Sequence, residues 1–400
     1  MPPGPDPSSA PPSATPYGPR SGVLYKKPVS PDHWIVYVDL DAFYVSCELT
    51  SRPELAGRPV IVGPPPTEGP TRGVVLSASY EARKFGVRSA LPVAAAARLC
   101  PDATWIPPDF AKYERVSEEV RTVLRRFSST VTPFSIDEAA MVLDVTDADA
   151  AGELAREIQR ALATELHLPA SIGVATTRLV AKIATDRAKP GGVRVVRPEE
   201  VASFVAPLPV RAVPGVGPKT EALLQAHQIT TIGELASRSP GELARYVGAL
   251  GRELVALARG RPIESSDAPA GPRVRSTDHT FATDADRWED VEPAVRALAG
   301  SLGASLEREG LRYGVAGVSL RWADFSRSQH GRALSAAQEG PGALEAAAVR
   351  LARELWTLER QGRRRSVRTV SVRVERLSER AGRQARLDEY PTGSPATEDK

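Results

Sequence analysis

The sequence predicts a multidomain α/β protein of the α+β kind, and three stretches carry the prediction. Apolar, β-branched runs alternate with amphipathic segments from Trp34 to Val196, the pattern of helices laid against one central sheet. Between Val205 and His227 a glycine-rich turn, Pro214-Gly215-Val216-Gly217-Pro218-Lys219, leads into a short amphipathic segment in the form of a helix-hairpin-helix. From Val274 to Val374 the order is strand, helix, strand, strand, helix, strand, the split arrangement that yields a four-stranded sheet backed by two helices.

Composition narrows the function classes. The 400 residues are 42% hydrophobic and 25% charged with a net charge of +3. That is enough apolar material for about two to four domains. Cys47 and Cys100 are the two cysteines, too few for a disulfide framework or a Cys-rich zinc site, so a reducing cytoplasm is expected. No run reaches the roughly 18 apolar residues of a membrane span, and the amino terminus lacks the order of a secretion signal. A cytoplasmic protein with no membrane partner follows. Residues 1–28 are mostly Pro, Ser, Gly and Ala and predict a disordered leader.

The first strand, Ile35 to Val38, is a short apolar run of the kind covered on both faces, and it ends in Asp39-Leu40-Asp41. Asp39 and Asp41 are two apart, so on a continuing strand both leave one face, where two anions are costly unless a cation joins them. A divalent metal is one reading, and an acidic turn in solvent is the other. Phe43 to Leu49 continue as a helix, Pro59 to Gly63 as a strand, and Pro64 to Pro70 as a loop. A β-branched strand from Gly73 then passes into a helix bearing Tyr80, Arg83 and Lys84. Tyr80 and Arg83 are three apart and share a helical face near its start, which suits a phosphate unless the helix is merely exposed and basic.

Tyr113 to Phe127 predicts an amphipathic helix. Val131 to Val145 reads as two strands meeting at Asp137-Glu138. Strand neighbours point to opposite faces, so both acids can turn toward Asp39 only if they sit at a bend, the tip of a hairpin. Helices Gly152 to Leu166 and Thr177 to Ala188 flank the strand Ala170 to Ala175. Lys189-Pro190-Gly191-Gly192 stops the second helix before a strand from Val193 to Val196. In the helix-hairpin-helix, Gly215 and Gly217 allow a tight turn whose bare amides approach a DNA phosphate, with Lys219 adding charge; a glycine-capped turn is the plainer reading.

Arg261 to Pro272 reads as a linker. Beyond it, strands Val274 to Phe281, Val315 to Trp322, near Arg332 to Ser335, and Val367 to Val374 alternate with helices Val291 to Glu309 and Leu344 to Glu359. Arg363, Arg364, Arg365, Arg368, Arg373 and Arg376 crowd the end of that unit. Their spacing forbids a single sheet face for all of them, and contact with a phosphate backbone is the expectation, a solvated basic strand the alternative.

Five of these stretches come together as a likeness. Val38-Asp39-Leu-Asp41-Ala-Phe-Tyr44, Ala78-Ser-Tyr80-Glu-Ala-Arg83-Lys84-Phe-Gly-Val, Ser135-Ile-Asp137-Glu138-Ala, Ser171-Ile-Gly-Val-Ala and Ala184-Thr-Asp-Arg-Ala-Lys189-Pro190 stand in this order. Over about residues 30 to 380 the chain resembles the Y-family translesion DNA polymerases, in their bacterial DNA polymerase IV (DinB) branch. The resemblance implies a right hand: palm at 31–42 and 109–196, fingers at 43–108, thumb at 197–262, a linker at 263–271, a little finger at 272–380 and a flexible tail at 381–400. It implies error-prone, template-directed DNA synthesis by a monomer on primer-template DNA with dNTPs. No second acidic cluster resembles an exonuclease, so proofreading is not expected.

Carried over by position, Asp39, Asp137 and Glu138 match the carboxylates that hold two Mg²⁺ ions, with Glu138 the catalytic one and the Leu40 carbonyl a main-chain ligand. Phe43, Tyr44, Tyr80, Arg83 and Lys189 match the groups around the incoming triphosphate, and Tyr44 also stands at the steric-gate position. Gln384-Ala-Arg-Leu387-Asp-Glu-Tyr390 is similar to a sliding-clamp peptide through Gln384, Leu387 and Tyr390. One departure matters: the family has an aromatic, then Leu-Asp-Val, after Asp-Glu-Ala, where this chain has Ala140-Met141-Val142-Leu143-Asp144-Val145. Either two residues are inserted or Ala140 replaces the aromatic. Two other readings stay open on sequence alone. One is a catalytically impaired DNA-binding accessory protein on the same fold; the other is a helix-hairpin-helix nuclease, which leaves a steric-gate tyrosine unexplained.

Overall fold

The computed structural model describes residues 33–66, 72–213, 215–248, 250–259, 274–361 and 364–379. The leader, the linker, Arg363 and the clamp-like peptide lie outside them. The chain divides into two compact units, one within Pro19–Ala270 and one after Gly271.

The first unit begins with β1 (Trp34–Leu40), α1 (Phe43–Leu49), β2 (Val60–Val62), β3 (Ser77–Ala78), α2 (Tyr80–Lys84), α3 (Val93–Leu99) and β4 (Thr104–Ile106). There follow α4 (Phe110–Leu124), β5 (Val131–Pro133), β6 (Glu138–Leu143), α5 (Ala148–Glu165), β7 (Ala170–Ala175), α6 (Arg178–Ala188) and β8 (Val193–Val195). The helices start earlier than apolar periodicity suggests because caps set them. The Asp109 carboxylate accepts from the Lys112 amide at 3.0 Å, and that of Asp147 from the Ala150 amide at 2.9 Å. The strand expected from Gly73 shrinks to two residues, with Val74 forming only an isolated bridge to Pro92.

One sheet has the order β5-β6-β1-β7-β8 and a small second sheet the order β3-β2-β4. β1 lies at the centre of the larger sheet and is buried along its whole length. Its two faces go to different cores. Trp34, Val36, Val38 and Leu40 pack with Tyr113, Val120, Ile158 and Leu162 of α4 and α5, while Ile35 and Tyr37 pack with Val180, Ala181 and Ala184 of α6. Apolar residues at successive positions are therefore required, which is why the run does not alternate.

α6 is seated on β7 through a missing side chain. A Cβ on Gly173 would stand 2.0 Å from the Ala181 carbonyl oxygen and 2.4 Å from the Thr185 amide. The helix backbone therefore uses the space, and the Thr185 hydroxyl donates to the Tyr37 carbonyl at 3.0 Å across the same contact. Gly173→Ala should push α6 off the sheet, at an overpacking cost of about 1–3 kcal/mol or more. Thermal unfolding is expected to fall by roughly 3–10 °C; an unchanged midpoint would show that α6 is not locked by this contact.

The helical part of the first unit contains α7 (Val201–Val205), α8 (Pro218–Ala226), α9 (Ile232–Ser237), α10 (Pro240–Val247) and α11 (Leu250–Ala258). Gly215 has φ +92°, a conformation that favours glycine, and Pro218 opens α8 at a position where no amide hydrogen is needed.

The second unit contains β9 (Val274–Ala285), α12 (Trp288–Arg308), β10 (Leu311–Trp322), β11 (Arg327–Gln338), α13 (Pro341–Glu359), β12 (Val367–Glu375) and β13 (Ser378–Glu379). The expected β-α-β-β-α-β order holds, in an antiparallel sheet β11-β10-β12-β9. Val318, Leu320, Val370 and Val372 share a core with Val295, Leu302, Leu344 and Leu351 of the two helices. Among the described residues no helix is long and apolar enough to cross a membrane.

Candidate active site

The ladder between β1 and β6 sets the geometry of the acids. It runs without a bulge from Trp34 opposite Leu143 to Asp39 opposite Glu138. The Leu40 amide donates to the Asp137 carbonyl at 3.0 Å, so that rung is hydrogen-bonded and the Asp39–Glu138 rung is not. In such a pair the side chains share a face with Cα atoms only about 4.5 Å apart. The Leu40 carbonyl points to the same side of the strand as its amide. Asp137 lies in the bend between β5 and β6, so the hairpin tip expected from sequence is what presents the acidic pair.

Ala140, the first residue of the departure from the family pattern, stands opposite Tyr37 in the same ladder. The Tyr37 ring lies on that face, stacked on Phe134 at 5.7 Å and 18°.

Crowded anions at low exposure perturb one another. Asp39 is pushed up to about 7, first by burial and then, against the pull of Lys189, by the Glu138 and Asp137 charges. Asp137 is raised by burial, with the Ser135 hydroxyl opposing. For Glu138 burial also pushes upward, but Lys182 and Tyr37 outweigh it and hold the carboxyl below its usual range. Lys189 donates to Asp39 Oδ2 at 2.5 Å, Lys182 to Glu138 Oε1 at 2.9 Å and the Tyr37 hydroxyl to Glu138 Oε2 at 2.7 Å. Among the described residues no three His, Cys, Asp or Glu side chains form a closed metal-binding cluster. The donor set of three carboxylates and a strand-end carbonyl is nonetheless the hard-oxygen kind that suits Mg²⁺.

Asp41 corrects the sequence reading. β1 ends at Leu40, so the two-residue period that would place Asp41 beside Asp39 no longer applies. The Asp41 carboxylate instead accepts from the Tyr80 hydroxyl at 2.8 Å, the Ser171 hydroxyl at 2.9 Å and the Gly191 amide at 2.8 Å. It has no part in the acid site.

Lys189 and Tyr80 are therefore both tied to the end of β1. The Arg83 guanidinium lies 4.5 Å from the Tyr80 ring centroid, and its Nε donates to the Ala78 carbonyl at 3.0 Å. Phe43 and Tyr44 open α1, where backbone amides have no partner inside the helix. The Tyr44 ring stacks on Tyr113 at 4.4 Å and 20°, and Tyr113 donates to the buried Glu48 at 2.9 Å.

The predicted phosphate-contacting groups divide. A Cβ on Gly215 or Gly217 would meet nothing, and Lys219 is exposed, so the hairpin turn is open to a ligand. The arginines of the second unit are less uniform than expected. Arg365 bonds Glu359 at 2.8 Å and lies over Trp322, and Arg373 donates to Gln329 at 3.0 Å. These two brace the fold. Arg364 is 84% exposed at its side chain and holds only a surface ion pair with Asp286 at 3.2 Å. Sequence reasoning missed Tyr37 and Lys182 as neighbours of Glu138.

The model of the impB/mucB/samB family matches residues 38–186, that of its C-terminal domain residues 275–387, and that of the IMS family HHH motif residues 198–229. The chain is 38% identical to a DNA polymerase IV of Methanoculleus marisnigri, over 89% of this chain and 98% of that protein. It is 44% identical to a DNA polymerase IV of Stenotrophomonas maltophilia, over 66% of this chain and 72% of that one. Among solved structures it is similar to a Y-family DNA polymerase chimera of Dbh and Dpo4, with TM-score 0.76 and 26% identity over 86% of this chain and 98% of the other. It is also similar to the insertion ternary complex of Dbh DNA polymerase, with TM-score 0.59 and 25% identity.

Proposed function

Since this chain belongs to the impB/mucB/samB family, as a Y-family translesion DNA polymerase of the DNA polymerase IV kind, we propose that Asp39, Asp137 and Glu138 carry its chemistry with two Mg²⁺ ions. The observation that supports this most directly is the Asp39–Glu138 rung with Asp137 one bend away. The three carboxylates and the Leu40 carbonyl hold the ions. When bound, such a pair lowers the pKa of a primer 3′-hydroxyl and screens the charge of a departing pyrophosphate.

The chain's own groups do the rest. Lys189, Tyr80 and Arg83 bind the triphosphate, and the first amides of α1, at Phe43 and Tyr44, meet its oxygens. Lys182 and Tyr37 orient the Glu138 carboxylate through its two oxygens. Tyr44, backed by Tyr113, lies under the sugar. On this reading the palm is 31–42 and 109–196, the fingers 43–108, the thumb 197–262 and the little finger 272–380, and the hairpin turn at Gly215 and Gly217 with Lys219 meets primer-template phosphates. Extension of a primer by single dNTPs in Mg²⁺, with no product in EDTA, tests the assignment; template-independent addition or hydrolysis of the primer would overturn it.

The proposal extends to a sliding clamp that takes Gln384, Leu387 and Tyr390 and tethers a monomeric enzyme. Tethering raises processivity through effective concentration and leaves the chemical step alone. Deleting residues 383–400 is expected to lower clamp-stimulated synthesis several-fold and to leave clamp-free single-nucleotide incorporation unchanged. Equal stimulation of both proteins would remove this peptide from the account.

A further inference from the structure

We infer that Asp41 is a positioning residue for nucleotide binding, a buried carboxylate that joins the phosphate-holding side chains to the end of the sheet. The inference rests on the reading of Tyr80 and Lys189 as triphosphate ligands. Asp41 is 2% exposed and lies just beyond β1. Its acceptors are met by donors from three other segments: Tyr80 on α2, Ser171 on β7, and Gly191 in the turn that follows α6. The Gly191 amide also reaches the Ser171 oxygen at 3.0 Å, closing a small network around one charge. Charge-assisted bonds of this kind are the strong ones.

Two of those segments carry the nucleotide ligands. α2 is a single turn of five residues, and the Tyr80 hydroxyl is its bond to the end of β1. Gly191 follows Lys189-Pro190 directly and has φ +66°, a backbone state that fixes where the turn goes. Anchoring the Gly191 amide to Asp41 therefore fixes the stem on which Lys189 stands. A hydroxyl has one proton, so Tyr80 donates to Asp41 before the nucleotide arrives and to a phosphate oxygen afterwards. Asp41 then keeps the Ser171 hydroxyl and the Gly191 amide. Its role is to deliver both ligands ready-placed, so that less has to be ordered when the triphosphate binds.

The decisive measurement is single-nucleotide incorporation by Asp41→Asn, Tyr80→Phe and the double variant, reading KM for dNTP, kcat, half-saturating Mg²⁺ and primer-template affinity. An asparagine turns an NH₂ toward groups that are themselves donors, so the network opens while the volume is kept. Asp41→Asn is expected to raise KM for dNTP about tenfold with kcat changed less than about threefold. The Mg²⁺ requirement and DNA affinity should not move. Tyr80→Phe alone should also raise KM, and the double variant should be no worse than the worse single one, because Tyr80 acts from where Asp41 puts it.

Additive effects, a KM unchanged or lowered in Asp41→Asn, or a shifted Mg²⁺ requirement would each overturn the inference, the last making Asp41 a metal ligand. Tyr80→Phe with normal KM would overturn the phosphate reading of Tyr80 together with the inference. Tyr80→Phe impaired beside a normal Asp41→Asn would remove the inference alone. Should Asp41→Asn fail to fold, Ser171→Ala keeps the charge, removes one donor, and is expected to give a smaller KM rise of the same kind; no rise there would also overturn it.

Discussion

Alanine in place of Asp39, Asp137 or Glu138 is expected to abolish primer extension while leaving primer-template binding close to wild type. The acids occupy one short face at the end of β1 and the tip of the β5–β6 hairpin, so each removal takes an anionic oxygen pair from the same site. Transition-state charge stabilisation by bound metal is worth several kcal/mol, and losing a ligand should lower kcat by roughly 10³-fold or more. DNA affinity comes from phosphate contacts elsewhere and does not depend on a carboxylate. Removing Glu138 leaves the Tyr37 hydroxyl without its acceptor and Lys182 with only the Tyr37 oxygen, so thermal unfolding has to accompany the assay. Near wild-type extension by a folded Glu138→Ala protein would sink the assignment.

Much of this arrangement can be read from local pattern, and the remainder fails for identifiable reasons. The apolar run of β1, the strand Ala170–Ala175 and the split order of the second unit announce themselves because burial on one or both faces dictates composition residue by residue. Helix starts are less legible. Asp109 and Asp147 cap α4 and α5 from outside the periodic run that periodicity detects. Asp41 misleads for a different reason: the period of two is valid only while the strand lasts, and β1 ends one residue earlier. The bracket on Glu138 is invisible because Tyr37 lies 101 positions away and Lys182 lies 44 away, and only the folded sheet brings them together. Arg365 and Arg373 look like free cations in a basic run, yet acceptors from other elements had already claimed them.

Tyr44→Ala is expected to admit ribonucleotides while retaining use of dNTPs, lowering discrimination between the two sugars on the order of 10²-fold. Selection at such a site comes from a clash that deoxyribose avoids, so shrinking the side chain removes a penalty and takes no bond from the correct substrate. The position of the ring makes the clash firm. Tyr44 stacks on Tyr113 at 4.4 Å and meets Phe110 edge-on at 6.1 Å, while the Tyr113 hydroxyl is held by Glu48. Glu48 in turn bonds Lys112 at 3.1 Å and Arg52 at 3.0 Å, so the backing is a buried carboxylate paired with cations at the surface, and it joins α1 to α4. A ring supported this way cannot swing aside at low cost, and a 2′-hydroxyl pressed against it meets a wall. The ratio of kcat/KM for rNTP to that for dNTP is the measurement. If the ratio in Tyr44→Ala equals that of the parent, the gate lies elsewhere, and the packed aromatic trio of Tyr44, Phe110 and Tyr113 is a joint between helices and nothing more.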